Sequence, residues 1–222
     1  MAIFASRQEA GQLLSKKISE LKLQIVNPIV LGIPRGGLAT GYPVAKSLNA
    51  PLDAIVLRKL PVPDNPETGF GAVAIDKTAI FNDDLLARLF LTKAEVKHIV
   101  DDVYQEVLRR NRVYRANRPF PELAKRAVIL TDDGLATGIT MLAAIQFAKR
   151  KKADKIIVAV PVAHQEAYEK VKKEADTAVA LAVSGSGYFA VASFYREFPE
   201  MTDEQAVEYL QKNQYETKQP GI

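Results

Sequence analysis

Two stretches of this sequence combine residue types that could hold an anion and a polyol side by side. In the first, the apolar run Val128-Ile129-Leu130-Thr131 ends in two adjacent carboxylates, Asp132 and Asp133, followed by Gly134, Leu135, Ala136, Thr137, Gly138, Ile139 and Thr140. The β-branched run reads as a buried strand, and the apolar periodicity over 141–148 reads as a helix. A helix start offers unpaired backbone N–H groups and the positive end of the dipole, so a phosphate sits there readily. Thr137 and Thr140 can add hydroxyl donors, and Gly138 lets the backbone come close. The two acids would repel a phosphate but suit a neighbouring diol or a magnesium ion. A sugar phosphate meets both demands. The alternative is an ordinary strand-to-helix turn with Asp132 as its cap.

The second stretch is Gly32-Ile33-Pro34-Arg35-Gly36-Gly37. Arg35 offers a planar fork that pairs phosphate bidentately, and Gly36 and Gly37 can expose backbone donors. Alone, it could be a glycine turn with a surface arginine. Arg58 and Lys59, at the expected end of a later strand, could neutralise a second anion or be plain surface charge. Asp64 and Glu67 could bind magnesium, although keeping a loop soluble is the simpler role.

These groups need elements to hold them. The pattern predicts a helix over 6–23, with Ser6 and Glu9 at capping-box spacing. Strands follow at 28–33 and 52–57, with a helix at 38–48 between them. Residues 60–71 carry Pro61, Pro63, Pro66, Gly69 and Gly71 and read as a long irregular loop. A hairpin is expected over 72–81. Thr92 and Glu95 open a long helix to about Arg115, broken by Pro119 and Pro121. Further strands are expected at 155–160 and 177–183, and helices at 165–174 and 202–211. Residues 215–222 read as frayed. Strands alternating with helices imply an α/β fold with a parallel sheet, helices on both faces and right-handed crossovers. Ligands on such sheets lie beyond the strand C-termini, so the loops after Ile33, Leu57, Thr131 and Val160 are expected to meet.

Composition narrows the classes. The chain has 222 residues, 48% hydrophobic and 25% charged, enough for one domain with a sizeable core. The formal net charge of +4 is mild. The cluster Lys149-Arg150-Lys151-Lys152 reads as a basic helix end rather than a nucleic-acid patch. With no cysteine there is no thiol chemistry. No leader or membrane-spanning run is visible, which points to the cytoplasm. His98 and His164 sit in no catalytic pattern, and Ser184 and Ser186 lack a partner base.

The run from Asp132 to Thr140 resembles the ribose-phosphate loop of the type I phosphoribosyltransferases. The Arg35-Gly36-Gly37 loop is similar to their pyrophosphate loop. With Arg58-Lys59 and Pro66-Glu67 the chain looks most like a branch of that family with a Pro-Arg-Gly-Gly loop. The resemblance implies one domain: a core over about 24–183 and a small hood, or flap, from 60–82 and 184–213. It implies 5-phosphoribosyl-1-pyrophosphate (PRPP) as substrate, with Mg²⁺, and transfer of the ribosyl group to a nitrogen acceptor, usually a nucleobase, with release of pyrophosphate. Ala136, Thr137, Gly138, Ile139 and Thr140 would hold the 5′-phosphate. Asp132 and Asp133 would hold the ribose hydroxyls and, through them, pyrophosphate and water, the magnesium. Arg35, Gly36, Gly37, Arg58 and Lys59 would hold the pyrophosphate, Lys59 being preferred over Arg58. The aspartate that hypoxanthine-guanine enzymes carry before the Thr-Gly pair is replaced by Ala136, so that proton acceptor is missing. Tyr188, Phe189, Tyr195 and Phe198 could stack a base or simply pack the flap. A PRPP-sensing binding module is the alternative, and a pyrophosphate-releasing hydrolase a third. A homodimer is left open; no membrane or nucleic-acid partner is expected.

Overall fold

A computed structural model describes residues 2–63, 65–116, 118–185, 187 and 189–218, with the side chains of 66, 67 and 215–218 excepted. Asp64, Ser186, Tyr188 and the Glu67 side chain therefore lie outside the described residues. Five parallel strands form the central sheet: β1 (Ile29–Gly32), β2 (Leu52–Ala54), β6 (Ala127–Thr131), β7 (Lys155–His164) and β8 (Thr177–Ser184), in the order β2-β1-β6-β7-β8. The chain steps outward from β1 to β2 on one side and from β6 to β8 on the other. The switch point therefore falls between β1 and β6, where a ligand crevice is expected in an open α/β sheet.

The strands read as continuous apolar runs because both faces are covered. On one face Ile29, Leu31, Val128 and Leu130 pack with Met141, Ala144, Ile145 and Ala148 of α5 (Ile139–Arg150). On the other, Val30, Ile129 and Ile157 pack with Leu14 and Ile18 of α1 (Arg7–Glu20), Leu38 and Val44 of α2 (Gly36–Ser47), and Leu210 of α7 (Asp203–Lys218). Each of the Val, Leu, Ile and Met side chains among them stabilises the sheet by about 1.5–3 kcal/mol when fully buried. Helix α6 (Gln165–Glu174) completes the first layer.

Within the expected irregular loop over 60–71, residues 60–62 and 65–71 are strand. They belong to a second, antiparallel sheet of β3 (Leu57–Val62), β4 (Asn65–Ala74) and β5 (Ala79–Phe81) in the order β3-β4-β5. Pro61 is tolerated because β3 is an edge strand and its register shifts on either side of Pro61. Gly71 is needed for a close approach, since a Cβ there would lie 2.5 Å from the Ile80 carbonyl oxygen. The strand expected over 52–57 is split: β2 ends at Ala54, and Leu57 already starts β3 in the other sheet. Arg58 and Lys59 therefore sit inside a hairpin strand, not at a strand end. The hairpin over 72–81 is present as β4 and β5.

Other boundaries follow local chemistry. Ser6 caps α1, its Oγ accepting from the Glu9 N–H at 3.3 Å. The Thr92–Glu95 capping box opens α4 (Lys93–Arg115). β7 runs four residues past Val160, the expected end, and passes through Pro161. α3 (Asp83–Arg88) and a 3₁₀ turn (Val191–Phe194) were not expected. α7 continues to Lys218 instead of fraying at 215; buried Asn213 pins it to the sheet edge, accepting from Leu52 N–H at 2.7 Å and donating to Ala50 O at 3.1 Å. Among the described residues no helix is long and apolar enough to cross a membrane.

Candidate active site

The loops after β1 and β6 are stitched together at the switch point. The Ile33 N–H donates to Thr131 O at 2.9 Å, and Thr131 Oγ1 donates to Gly37 O at 2.9 Å. Thr40 Oγ1 reaches Asp132 O at 3.2 Å. This closeness explains the two glycines. A Cβ on Gly36 would collide with the Asp133 carboxylate, and one on Gly37 with the Thr131 carbonyl. The Gly37 N–H already donates to Ile33 O at 3.0 Å, so that expected backbone donor is engaged. The peptide bond between Pro34 and Arg35 is cis.

The acidic pair is asymmetric. Asp132 Oδ1 accepts from the Asp133 N–H at 2.9 Å. Burial of the Asp132 carboxyl, and then the like charge of Asp133, push it well above the usual carboxylate range, although the residue as a whole keeps part of its surface open. Asp133 has a counter-ion: Arg7 Nε donates to its Oδ2 at 2.7 Å. The Tyr195 hydroxyl donates to the Asp133 carbonyl at 2.6 Å, and burial followed by the Asp133 charge holds that phenol protonated far above its ordinary range.

Arg35 also has partners. Its Nη2 donates to Glu200 Oε1 at 2.6 Å, and its Nη1 lies 3.8 Å from Asp203 Oδ1. That Asp203 oxygen accepts from the Tyr114 hydroxyl at 2.6 Å. An open cavity of about 370 Å³ is bounded by Arg7, residues 34–36, Asp132, Asp133 and, from the C-terminal segment, Phe198, Glu200 and Met201.

The remaining expected residues do not line this cavity. Gly138 precedes α5 with φ +77°, a left-handed conformation that favours glycine. No side chain caps α5, and its first turn carries no acid. Ala136 and Thr137 are exposed and Thr140 is half-buried, while the Ile139 side chain is part of the core, so only its backbone can face a ligand. Leu135 pairs with β7, its N–H donating to Val162 O and its carbonyl accepting from the His164 N–H. The loop after β6 therefore lies along the end of β7, which passes directly into α6 with no loop after Val160, and the chain after Leu57 continues as β3. Adjacent strand residues face opposite ways. Arg58 is half-buried within the field of Arg110, Glu106, Tyr114 and Arg35; burial and then the Arg110 charge lower its pKa. Lys59 is exposed and lies along Gly69.

Sequence reasoning missed Arg7, Glu200 and Asp203, and it named Tyr195 as a stacking or packing aromatic without the hydrogen bond to Asp133. Arg7 had a signal: it occupies the first helical position after the Ser6 cap, where a cation opposes the helix dipole and needs another reason to be there. Among the described residues, Phe189, Tyr195 and Phe198 each pack against another ring, and Phe198 also borders the cavity. Tyr195 is buried against Phe4, Phe198 lies against Tyr195, and Phe189 meets His164 and Phe194. Exposed His98 pairs with Asp102 on α4. Among the described residues no group of three or more acids, histidines or cysteines forms a metal cage.

Comparison with known proteins gives a consistent result. The chain is 37% identical over 212 residues to a protein of two Mycobacterium tuberculosis strains, named "Putative phosphoribosyl transferase MT0597" in CDC 1551 and "Putative phosphoribosyl transferase Rv0571c" in H37Rv. The match covers 96% of this chain but 47% of each relative, so the chain spans about half the length of those relatives. Among solved structures it is similar to TT1426 from Thermus thermophilus, with 34% identity, a TM-score of 0.79, and coverage of 96% of this chain and 99% of that one. The phosphoribosyl transferase domain model matches residues 2–185, and the chain belongs to that family.

Proposed function

We propose that this protein transfers the 5-phosphoribosyl group of PRPP to a nitrogen acceptor, a nucleobase being the acceptor class, and releases pyrophosphate. The observation that carries the reading is that Arg35 and Gly36, on one loop, share a single cavity at the switch point with Asp132 and Asp133, on another. Cation and paired acids side by side suit a ligand that is pyrophosphate at one end and a diol at the other.

In this reading the core spans about 24–183, and the hood is built from 60–82 and 184–213. Ala136, Thr137, Gly138, Ile139 and Thr140 hold the 5′-phosphate at the start of α5, whose first turn has no capping side chain. Asp132 and Asp133 orient the ribose hydroxyls. Arg35, with Gly36 and Gly37, receives the pyrophosphate, supported by Arg58 and Lys59. The C1–O bond to pyrophosphate breaks as the acceptor nitrogen bonds C1; the nitrogen's proton leaves to solvent or to the departing pyrophosphate. No enzyme nucleophile is required, and positioning and charge stabilisation carry the rate. The hood keeps water from the activated carbon.

Magnesium fits the donor set as a minority of its ligands. Asp132 and Asp133 supply hard oxygens, but two carboxylates, one of them engaged by Arg7, leave most positions to substrate oxygens and water. When bound, the ion would neutralise charge on the pyrophosphate. At the acceptor, Ala136 offers no proton-accepting side chain, which weighs against recognition of the hypoxanthine-guanine kind.

The test is a panel of nucleobases with labelled PRPP and Mg²⁺, scored for pyrophosphate release with and without acceptor. Release that depends on one acceptor supports transfer. Release without acceptor indicates hydrolysis, and tight PRPP binding with no release indicates a sensor.

A further inference from the structure

Arg7 belongs to no motif of the expected site, yet it reaches the site from the far end of the chain. We propose that Arg7 is the positioning residue for Asp133 and that it couples the acidic pair to a C-terminal strap, residues 197–203, which borders the cavity. The identity of the ligand, a sugar phosphate, rests on the proposed transfer; the coupling itself does not.

One guanidinium makes three contacts. Its Nε donates to Asp133 Oδ2 at 2.7 Å, its Nη1 donates to Pro199 O at 2.8 Å, and its central carbon lies 3.6 Å from the centroid of the Phe198 ring. The side chain is only 11% exposed. A guanidinium is a rigid planar fork, so it cannot follow one partner without leaving the other. Asp133 is also held from its other end, since its carbonyl accepts from Tyr195, against which Phe198 packs.

The backbone makes the strap and Arg7 one unit. The N–H groups of Ile3 and Phe4 both donate to Phe194 O at 2.9 Å. Arg196 N–H donates to Phe4 O at 2.8 Å, and Glu197 N–H to Ala5 O at 3.0 Å. The segment that leads into Arg7 is thus zipped to the segment that leads into the strap. A ligand that takes hold of Asp133 is felt at Pro199 and Phe198, and order in the strap fixes Asp133 for the ligand. A plain counter-charge would need only a cation near Asp133; the shared fork requires an arginine.

The experiment compares the 222-residue chain with Arg7→Lys, Asp133→Asn, the double variant and Phe198→Leu. Hydrogen exchange is followed at the amides of 197–203, and calorimetry measures binding of ribose 5-phosphate and of inorganic phosphate. Coupling of the ordinary size predicts strap exchange about tenfold faster in either Arg7→Lys or Asp133→Asn, with the double variant no faster than the singles. Ribose 5-phosphate should bind Arg7→Lys about tenfold more weakly, while inorganic phosphate, which needs only the start of α5, binds unchanged. Phe198→Leu keeps the Asp133 carboxylate and the Arg7 side chain but removes the ring that seats the guanidinium, and it should speed strap exchange as well as weaken ribose 5-phosphate. Strap exchange at the wild-type rate in both single variants, effects that multiply in the double variant, or full rescue of ribose 5-phosphate binding by lysine overturns the proposal. If the wild-type chain binds no ribose 5-phosphate, the transfer reading fails, and the exchange data alone decide whether Arg7 couples strap and acid.

Discussion

Arg35 and Glu200 form a 2.6 Å ion pair across the mouth of the cavity, so the cation assigned to pyrophosphate is already occupied by a carboxylate of the same chain. The Glu200 side chain is 85% exposed, which keeps the pair weak. An exposed pair of this kind contributes about 0–1 kcal/mol. Glu200→Gln should therefore tighten pyrophosphate binding by no more than about fivefold, with the gain shrinking at high salt. Titration of pyrophosphate at two ionic strengths checks this. Weaker binding in the variant would show that Glu200 helps to hold the ligand instead of competing with it.

Gly36 and Asp133 touch so closely that a methyl group between them has no room. Gly36→Ala must push the acid or the Arg35 loop aside, and overpacking of this sort costs about 1–3 kcal/mol. We expect a modest fall in melting temperature and a much larger loss of sugar-phosphate binding, because the displaced group is Asp133. Binding that survives while stability drops would remove Asp133 from the ligand site.

The two acids should behave differently when neutralised. Asp132 has its folded pKa raised by burial and by Asp133. A raised carboxyl favours the native state fully below the unfolded pKa of about 4, and that advantage is lost as pH rises through the folded value. At neutral pH Asp132 therefore weakens the fold. Asp132→Asn should raise the melting temperature at pH 7 and lose this advantage near pH 3. Asp133→Asn removes the Arg7 ion pair and should lower the melting temperature at pH 7. Thermal unfolding of both variants across that range separates the cases, and an identical response would deny the asymmetry.

The parts of the site legible in the sequence are those written in one continuous stretch. The apolar run of β6, the acids at its end, Gly138 and the helix beyond it follow from period and local chemistry, and the order of strands and helices is enough to place a switch point. Arg7 was not legible because its partner lies 126 positions away, and only its awkward place at a helix start hinted at a tertiary reason. The hairpin of β3 and β4 was hidden by its own prolines. Proline is tolerated where no neighbouring strand calls on its missing N–H, as at the register shift of edge strand β3, and that condition is a property of the sheet, not of the segment. The same error moved Arg58 and Lys59 to a strand end.

Correcting that error changes what Lys59 must do. It lies exposed along Gly69 on a hairpin strand and does not line the cavity, while Arg58 is half-buried within the field of Arg110 and Arg35. If Lys59 neutralises the departing pyrophosphate, the hairpin has to fold over the site, and the contact is made late, in the transition state. Lys59→Ala should then lower kcat about a hundredfold, about 2.7 kcal/mol on the barrier, with a smaller change in PRPP binding. Arg58→Ala should act the other way, through binding, because Arg58 is within the field of Arg35 before any closure. Protease cleavage within residues 60–71 should slow when Mg²⁺ and PRPP are both present. Equal cleavage with and without them, together with unchanged turnover in Lys59→Ala, would leave the hairpin a fixed wall and Lys59 an ordinary surface charge.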